Sequence, residues 1–154
     1  MMAKNTAPES IEEALMEHSA YVEQCMLHNN QDPYTVGLIV PNKESLRKEI
    51  KKRGLEPSSA EGHQEAIIIL QEEINKYKAG GKYAGMFPER WLPSTFAVLD
   101  EGFSEANHMV NSTMKIVRGK INEAHAGKLQ FLYQAEAKNL HHSFNMDTLK
   151  KLLG

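Results

Sequence analysis

The stretch Tyr21-Val22-Glu23-Gln24-Cys25-Met26-Leu27-His28, Asn29-Asn30-Gln31-Asp32-Pro33, Tyr34-Thr35-Val36-Gly37-Leu38-Ile39-Val40 decides the fold class. Its two outer arms are rich in β-branched, aromatic and other apolar residues, and an Asn/Asp/Pro cluster separates them, so it reads as a β-hairpin. The run Val36 to Val40 is nearly all apolar, which predicts a central strand covered on both faces. Pro41 stops that strand and Asn42 caps a helix over about Lys43 to Arg53, ended by Gly54. Upstream, Thr6-Ala7-Pro8-Glu9 reads as a capping box that opens a helix from about Pro8 to Glu17. Ile11, Ala14, Leu15 and His18 share one face of it at helical spacing.

Downstream, Ser58-Ser59-Ala60-Glu61 reads as a second capping box, opening a helix from about Ser59 to Lys78. Ile67, Leu70, Ile74 and Tyr77 form its apolar stripe, and Gly80-Gly81 ends it. Residues 54–85 read as a helical insertion whose long helix packs on the sheet. An aromatic, Pro-broken segment follows from Lys82 to Pro93, then a third apolar strand from Thr95 to Leu99. Asp100 to Asn111 reads as a loop. A helix is expected from Ser112 to about Ala126, interrupted at Gly127. Two shorter helical pieces are expected over Lys128 to Lys138 and Met146 to Leu153, the second capped by Asn145. Tyr133, Leu140, Leu149, Leu152 and Leu153 are expected to dock this tail. A hairpin plus one distant strand, with segregated helices, is α+β architecture. The expected fold is a small mixed or antiparallel sheet of about three strands, flanked by helices, with a helical C-terminal tail.

With 154 residues the chain matches one average domain, large enough to bury a core without disulfides. Eighteen Lys and Arg against twenty Asp and Glu argue against a nucleic-acid binder that works by counterion release. The single cysteine, Cys25, excludes an intramolecular disulfide and a Cys-based zinc site. The longest apolar run, Ala66 to Leu70, is far too short to span a bilayer, and no basic-then-apolar leader is read. The expected compartment is a reducing cytoplasm, with peripheral membrane contact open.

No Gly-x-Ser-x-Gly, Walker phosphate loop or His-Glu-x-x-His motif occurs. Gly80-Gly81-Lys82-Tyr83-Ala84-Gly85 lacks the Gly-Lys-Ser/Thr ending and reads as a helix end with a linker. His141 and His142 are adjacent, which on a helix separates their directions, so a surface role is expected for both. Glu9 and Glu12 are expected to complement the positive end of the first helix.

Two further stretches carry the functional reading. The first is Asn5-Thr6-Ala7-Pro8-Glu9-Ser10-Ile11-Glu12, followed by Tyr34 to Pro41. The second runs Trp91 to Leu99, Phe103-Ser104-Glu105-Ala106-Asn107, and Val110-Asn111-Ser112-Thr113-Met114-Lys115-Ile116-Val117-Arg118. In order, they resemble the C-terminal domain of the AMP-forming acyl-CoA synthetases. Asn5, Pro8, Ile11 and Glu12 match the segment that opens that domain's first helix, and Gly37 to Asn42 match its apolar strand end. Val110 to Arg118 resembles its Leu-Thr-x-Thr-x-Lys-x-x-Arg segment, as the long-chain fatty-acid–CoA ligases write it. The resemblance covers Asn5 to Ile121.

The resemblance implies that Lys115 is the active-site lysine of adenylation. Lys120, after Gly119, is the rival position, and Arg118 fits the pattern in a structural or nucleotide-binding role. It also implies ATP and CoA as substrates, with Mg2+ accompanying ATP, and a fatty acid as the carboxylate. The phosphate loop, the ribose-binding Asp and the acyl pocket belong to an N-terminal adenylation domain that this sequence does not contain. Residues 5–154 would then be the mobile C-terminal lid of a larger ligase, inactive alone, and Met1 to Lys4 leftovers from trimming. The contrasting reading is a stand-alone, non-catalytic binding or regulatory module. Its disadvantage is that Lys115 and its neighbours are intact.

The physical need for such a lysine is independent of the resemblance. Adenylation joins two anions, a carboxylate and the α-phosphate of ATP, and charge builds on the phosphorus oxygens as pyrophosphate leaves. A compact ammonium that reaches both positions the pair and neutralises that charge.

Overall fold

A computed structural model describes residues 2–154, with side chains from residue 8 onward. The Asn5 match and the Thr6 half of the first capping box lie outside the described side chains, and Met1 outside the described residues. The elements in chain order are α1 (Met2–His18), β1 (Val22–His28), β2 (Val36–Pro41), α2 (Lys43–Lys52), α3 (Ala60–Asn75), β3 (Thr95–Val98), α4 (Arg118–Ala124), α5 (Ala126–Leu132) and α6 (Ser143–Leu153). The fold is α+β. β1 and β2 pair antiparallel, β2 and β3 pair parallel, and β2 is the central strand. Its six residues are all buried, as its unbroken apolar run requires.

Side chains alternate across the sheet and divide the core in two. Cys25, Leu27, Ile39, Phe96 and Val98 face a cluster built from α1, α2, α3 and α6. Met26, Leu38, Val40 and Ala97 face a second cluster with Phe103, Val110, Ile121, Leu129 and Leu132. Ile67, Leu70 and Ile74 of α3, with Tyr77 just past its end, lie in the first cluster, so this helix is part of the main core. The tail docks through Leu140, Leu149 and Leu153, all buried.

Side chains occupy part of each outer edge of the sheet, which hinders pairing with another chain there. On β3, the buried Asn145 amide accepts from Val98 N (2.7 Å) and donates to Phe96 O (3.0 Å) and Leu140 O (2.9 Å). On β1, Glu12 and Arg118 bind the outward N–H and C=O of Leu27.

Several local expectations are corrected. α1 extends upstream to Met2, with Pro8 inside it. α3 is capped by Ser59, not Ser58: its hydroxyl accepts from Gly62 N (3.0 Å). Gly62 is demanded there because a Cβ would lie 2.1 Å from Glu56 O. α3 ends at Asn75, before the expected Lys78, and a turn leads on to Gly80-Gly81. No helix begins at Ser112; α4 begins at Arg118. Asn111 satisfies the backbone locally with its side chain, and such bonding competes with helix formation. The break after α4 falls at His125, and Gly127 lies within α5. The expected helix Lys128 to Lys138 is α5 followed by a 3-10 turn, Ala135–Lys138.

α6 is capped by His142, not by Asn145. The His142 Nδ1 accepts from Asn145 N (3.3 Å), and its Nε2 lies 3.2 Å from Phe96 O. His142 is therefore buried, not at the surface, and it packs edge-on against Phe131. Since Nδ1 accepts, the ring proton sits on Nε2 and donates to Phe96 O. His63 on α3 is also buried, its Nε2 has no hydrogen-bond partner, and Lys150 of α6 lies close enough to disfavour its protonation.

Burial holds both imidazoles below the ordinary histidine value, His63 with help from Lys150 and His142 against the pull of Phe96 O. The folded chain thus favours neutral rings, and the unfolded chain binds more protons below about pH 6.5. This contribution to stability is fully present above that pH and is lost as the pH falls. The melting temperature is expected to drop between pH 7.5 and pH 5, and to drop less in His63→Leu. Thermal melts of both proteins across that range would check it.

Candidate functional site

Lys115 lies in a tight loop between β3 and α4, not on a helix. Val110 and Ile116 form an antiparallel bridge at its base. Asn111 N donates to Lys115 O (2.9 Å), closing the loop, and Met114 N donates to Asn111 O (2.9 Å). The Asn111 Oδ1 accepts three bonds, from Thr113 N (3.0 Å), Thr113 Oγ1 (2.8 Å) and Lys115 N (3.0 Å). This is an extended Asx turn, and it fixes the backbone under Lys115 while the lysine side chain remains exposed. Met114 takes a left-handed φ of 67° to complete the turn.

The approach to the loop is also held. Gln24 of β1 donates from Nε2 to Phe103 O (3.0 Å) and accepts at Oε1 from Phe103 N (2.8 Å). Asn107 donates to Gly102 O (2.8 Å) and accepts from Ser104 N and Met109 N.

Arg118 opens α4 and turns back to α1. Its Nη2 meets Glu12 Oε1 at 2.6 Å and its Nη1 meets Glu12 Oε2 at 2.9 Å, a bidentate pair. Leu27 N donates to Glu12 Oε2 (2.6 Å), and Arg118 Nη1 donates to Leu27 O (3.4 Å). Glu12 is only 3% exposed. Burial pushes its carboxyl up, against the pull of Arg118 and of Leu27 N. Burial is the largest influence on Arg118 and opposes its charge, but the hydrogen bonds to Glu12 together with the charges of Glu12 and Glu9 outweigh it and hold the guanidinium above its ordinary value. This corrects the expectation for Glu12: it ties α1, β1 and α4 together instead of serving the end of α1. Arg118 accordingly has a visible structural role.

Glu9, Glu12 and Glu13 of α1, with Met114, Lys115 and Arg118, line one cleft of about 170 Å³. Cys25 also borders it, and burial raises its thiol far out of the reactive range. Lys120 is exposed on α4 and does not line this cleft. A larger cleft of about 370 Å³ lies by the β1–β2 turn, bordered by Ile11, Tyr34, Arg90 and Trp91, apart from Lys115. Among the described residues no group of three or more His, Cys, Asp or Glu could hold a metal ion, and no helix is long and apolar enough to cross a membrane.

The structure thus brings Glu12, Lys115 and Arg118 to one cleft and leaves Lys120 outside it. Sequence reasoning did not assign the roles of Gln24 and Asn111. Asn111, two residues before Thr113, carries a readable Asx-turn signal. Gln24 carries none, because its partner lies across the fold.

The fold is shared with part of known adenylation domains. The adenylation domain of a carboxylate reductase from Mycobacterium chelonae matches with a TM-score of 0.62 at 20% identity, over 81% of this chain and 17% of that one. The A domain of the Segniliparus rugosus carboxylic acid reductase, solved with AMP and a co-purified carboxylic acid, matches with a TM-score of 0.56 at 20% identity. That match covers 80% of this chain and 17% of that one. The A-PCP didomain of the same reductase, solved with AMP, matches with a TM-score of 0.57 at 20% identity, over 84% of this chain and 16% of that one. This chain therefore spans about a sixth of the length of these neighbours. No protein-family model and no curated protein sequence matches it.

Proposed function

We propose that this chain is the mobile C-terminal domain of an ATP-dependent, AMP-forming long-chain fatty-acid–CoA ligase. Lys115 supplies the cation for adenylation. The observation that carries this reading is an exposed ammonium on a loop braced from both sides, in a chain whose fold recurs within much longer adenylation domains, of which it matches 17% in one case. The cleft beside Lys115, about 170 Å³, is smaller than sites that enclose a small molecule. It is also lined by carboxylates, so this chain alone offers half a site, and a second surface must hold the anions. The N-terminal adenylation domain would provide that surface, bind ATP with its Mg2+, and hold the acyl group.

In the first half-reaction a carboxylate oxygen attacks the α-phosphorus, forming acyl-AMP and releasing pyrophosphate. Lys115 pairs with the carboxylate and the α-phosphate oxygens. In the second, the thiol of CoA attacks the acyl carbon and AMP leaves. The lid would rotate between the two steps, withdrawing Lys115.

The test is the size and activity of the native protein. An antibody to this domain should detect a protein several times larger than 17.4 kDa. That protein should catalyse fatty-acid-dependent exchange of pyrophosphate into ATP. A band at the size of this chain, with no exchange activity in the purified protein, would overturn the reading in favour of a stand-alone module.

A further inference from the structure

Met114 combines two features that oppose each other in an ordinary surface residue. It holds a φ of 67°, a conformation that penalises any residue with a Cβ and that Gly54, Gly80 and Gly85 adopt elsewhere in the chain. It is also 76% exposed, more than Met16, Met86 or Phe144. The other non-glycine residues at positive φ among those described, Gln31 and His108, are polar. A glycine at 114 would remove both the strain and the exposed apolar surface. Nor does the loop need this side chain: the Met114 N–H bond to Asn111 O is made by backbone, and the rest of the turn hangs on Asn111. A strained residue whose side chain does nothing for its own fold points to a use outside it.

We propose that Met114 is a specificity-determining residue whose side chain lies against the apolar chain of the carboxylic acid while Lys115 pairs with its carboxylate. The proposal rests on the adenylation reading of Lys115. Adjacent residues at the tip of one rigid loop offer an ammonium and an apolar side chain, both lining the same cleft edge. That pair complements an amphiphilic anion; an inorganic anion would use the lysine alone. Inside the cleft the Arg118 guanidinium is already paired with Glu12, and Glu9 and Glu13 add negative charge, so the acid is met at the exposed tip. A thioether is unbranched and polarisable, so it can follow acyl chains of different shape.

The experiment uses the longer protein and measures pyrophosphate exchange with acetate, octanoate and 2-hydroxyoctanoate. Met114→Gln, similar in length but polar, is expected to lower kcat/KM for octanoate about tenfold. It should leave acetate within about twofold and raise 2-hydroxyoctanoate relative to octanoate, while Met114→Leu keeps the parent preference. An equal loss with every acid would overturn the proposal, showing instead that Met114 acts on the loop or against the adenylation domain's surface. Unchanged kinetics with every acid would also overturn it. Lys115→Ala serves as the separate control: full exchange in that variant would overturn the adenylation reading itself.

Discussion

Lys115→Ala in the proposed full-length ligase is expected to slow carboxylate-dependent pyrophosphate exchange about a hundred- to a thousandfold, the cost of removing one preorganised group from a developing oxyanion. The loss should fall on kcat more than on KM, because in the proposed reaction the charge facing Lys115 grows as pyrophosphate departs. Formation of the thioester from supplied acyl-AMP should survive, since the proposed pose for that step withdraws the lysine. Lys115→Arg should restore exchange only in part, because the larger, planar guanidinium cannot set one compact charge between a trigonal carboxylate and a tetrahedral phosphate. Lys120→Ala should leave exchange near the parent value, since Lys120 is exposed on α4 outside the cleft. Equal loss of both half-reactions in Lys115→Ala would count against the assignment and point to misplacement of the whole domain.

Glu12→Ala is expected to destabilise this chain by about 3 kcal/mol, near the lower end for breaking a buried ion pair, because the Arg118 head keeps some contact with water. The variant leaves the Leu27 N–H without its 2.6 Å acceptor at the sheet edge and leaves the guanidinium half-buried and unpaired. For a domain of this size the melting temperature should fall by roughly 6 to 12 °C. Glu13→Ala, an exposed neighbour on the same helix, should stay within about 0.5 kcal/mol of the parent. Thermal denaturation of the three proteins checks the difference. If Glu12→Ala melts with Glu13→Ala, the pair does not brace α1, β1 and α4 as the distances indicate.

The contrast between these two residues follows how information is distributed along the chain. Strong local patterns were readable: the hairpin around Asn29 to Pro33, the unbroken apolar run of β2, the cap at Asn42, and the stripe of α3. Each rests on neighbours close in sequence. The loop from Asp100 to Asn111 was readable, but the segment after it was not, because Ser112 to Ala126 has enough helix-forming residues to suggest one long helix. The Asn111 side chain and the Val110–Ile116 bridge override that propensity up to Arg118. The expectation for His142 fails for a similar reason. Adjacent His141 and His142 look like surface residues, yet His142 faces the core, where α6 needs a cap and Phe96 O needs a donor.

By itself the sequence determined the α+β class, the central position of β2 and the apolar faces of α1 and α3. Those follow from the periodicity of burial and from turn and cap chemistry, which act over a few residues. Only the tertiary structure decided that Glu12 meets Arg118 across 106 positions, that Gln24 clamps Phe103 across 79, and that Asn145 closes the edge of β3. Such pairings satisfy polar groups that become buried only when distant elements pack. No local pattern can encode them, because before packing those groups are still bonded to water.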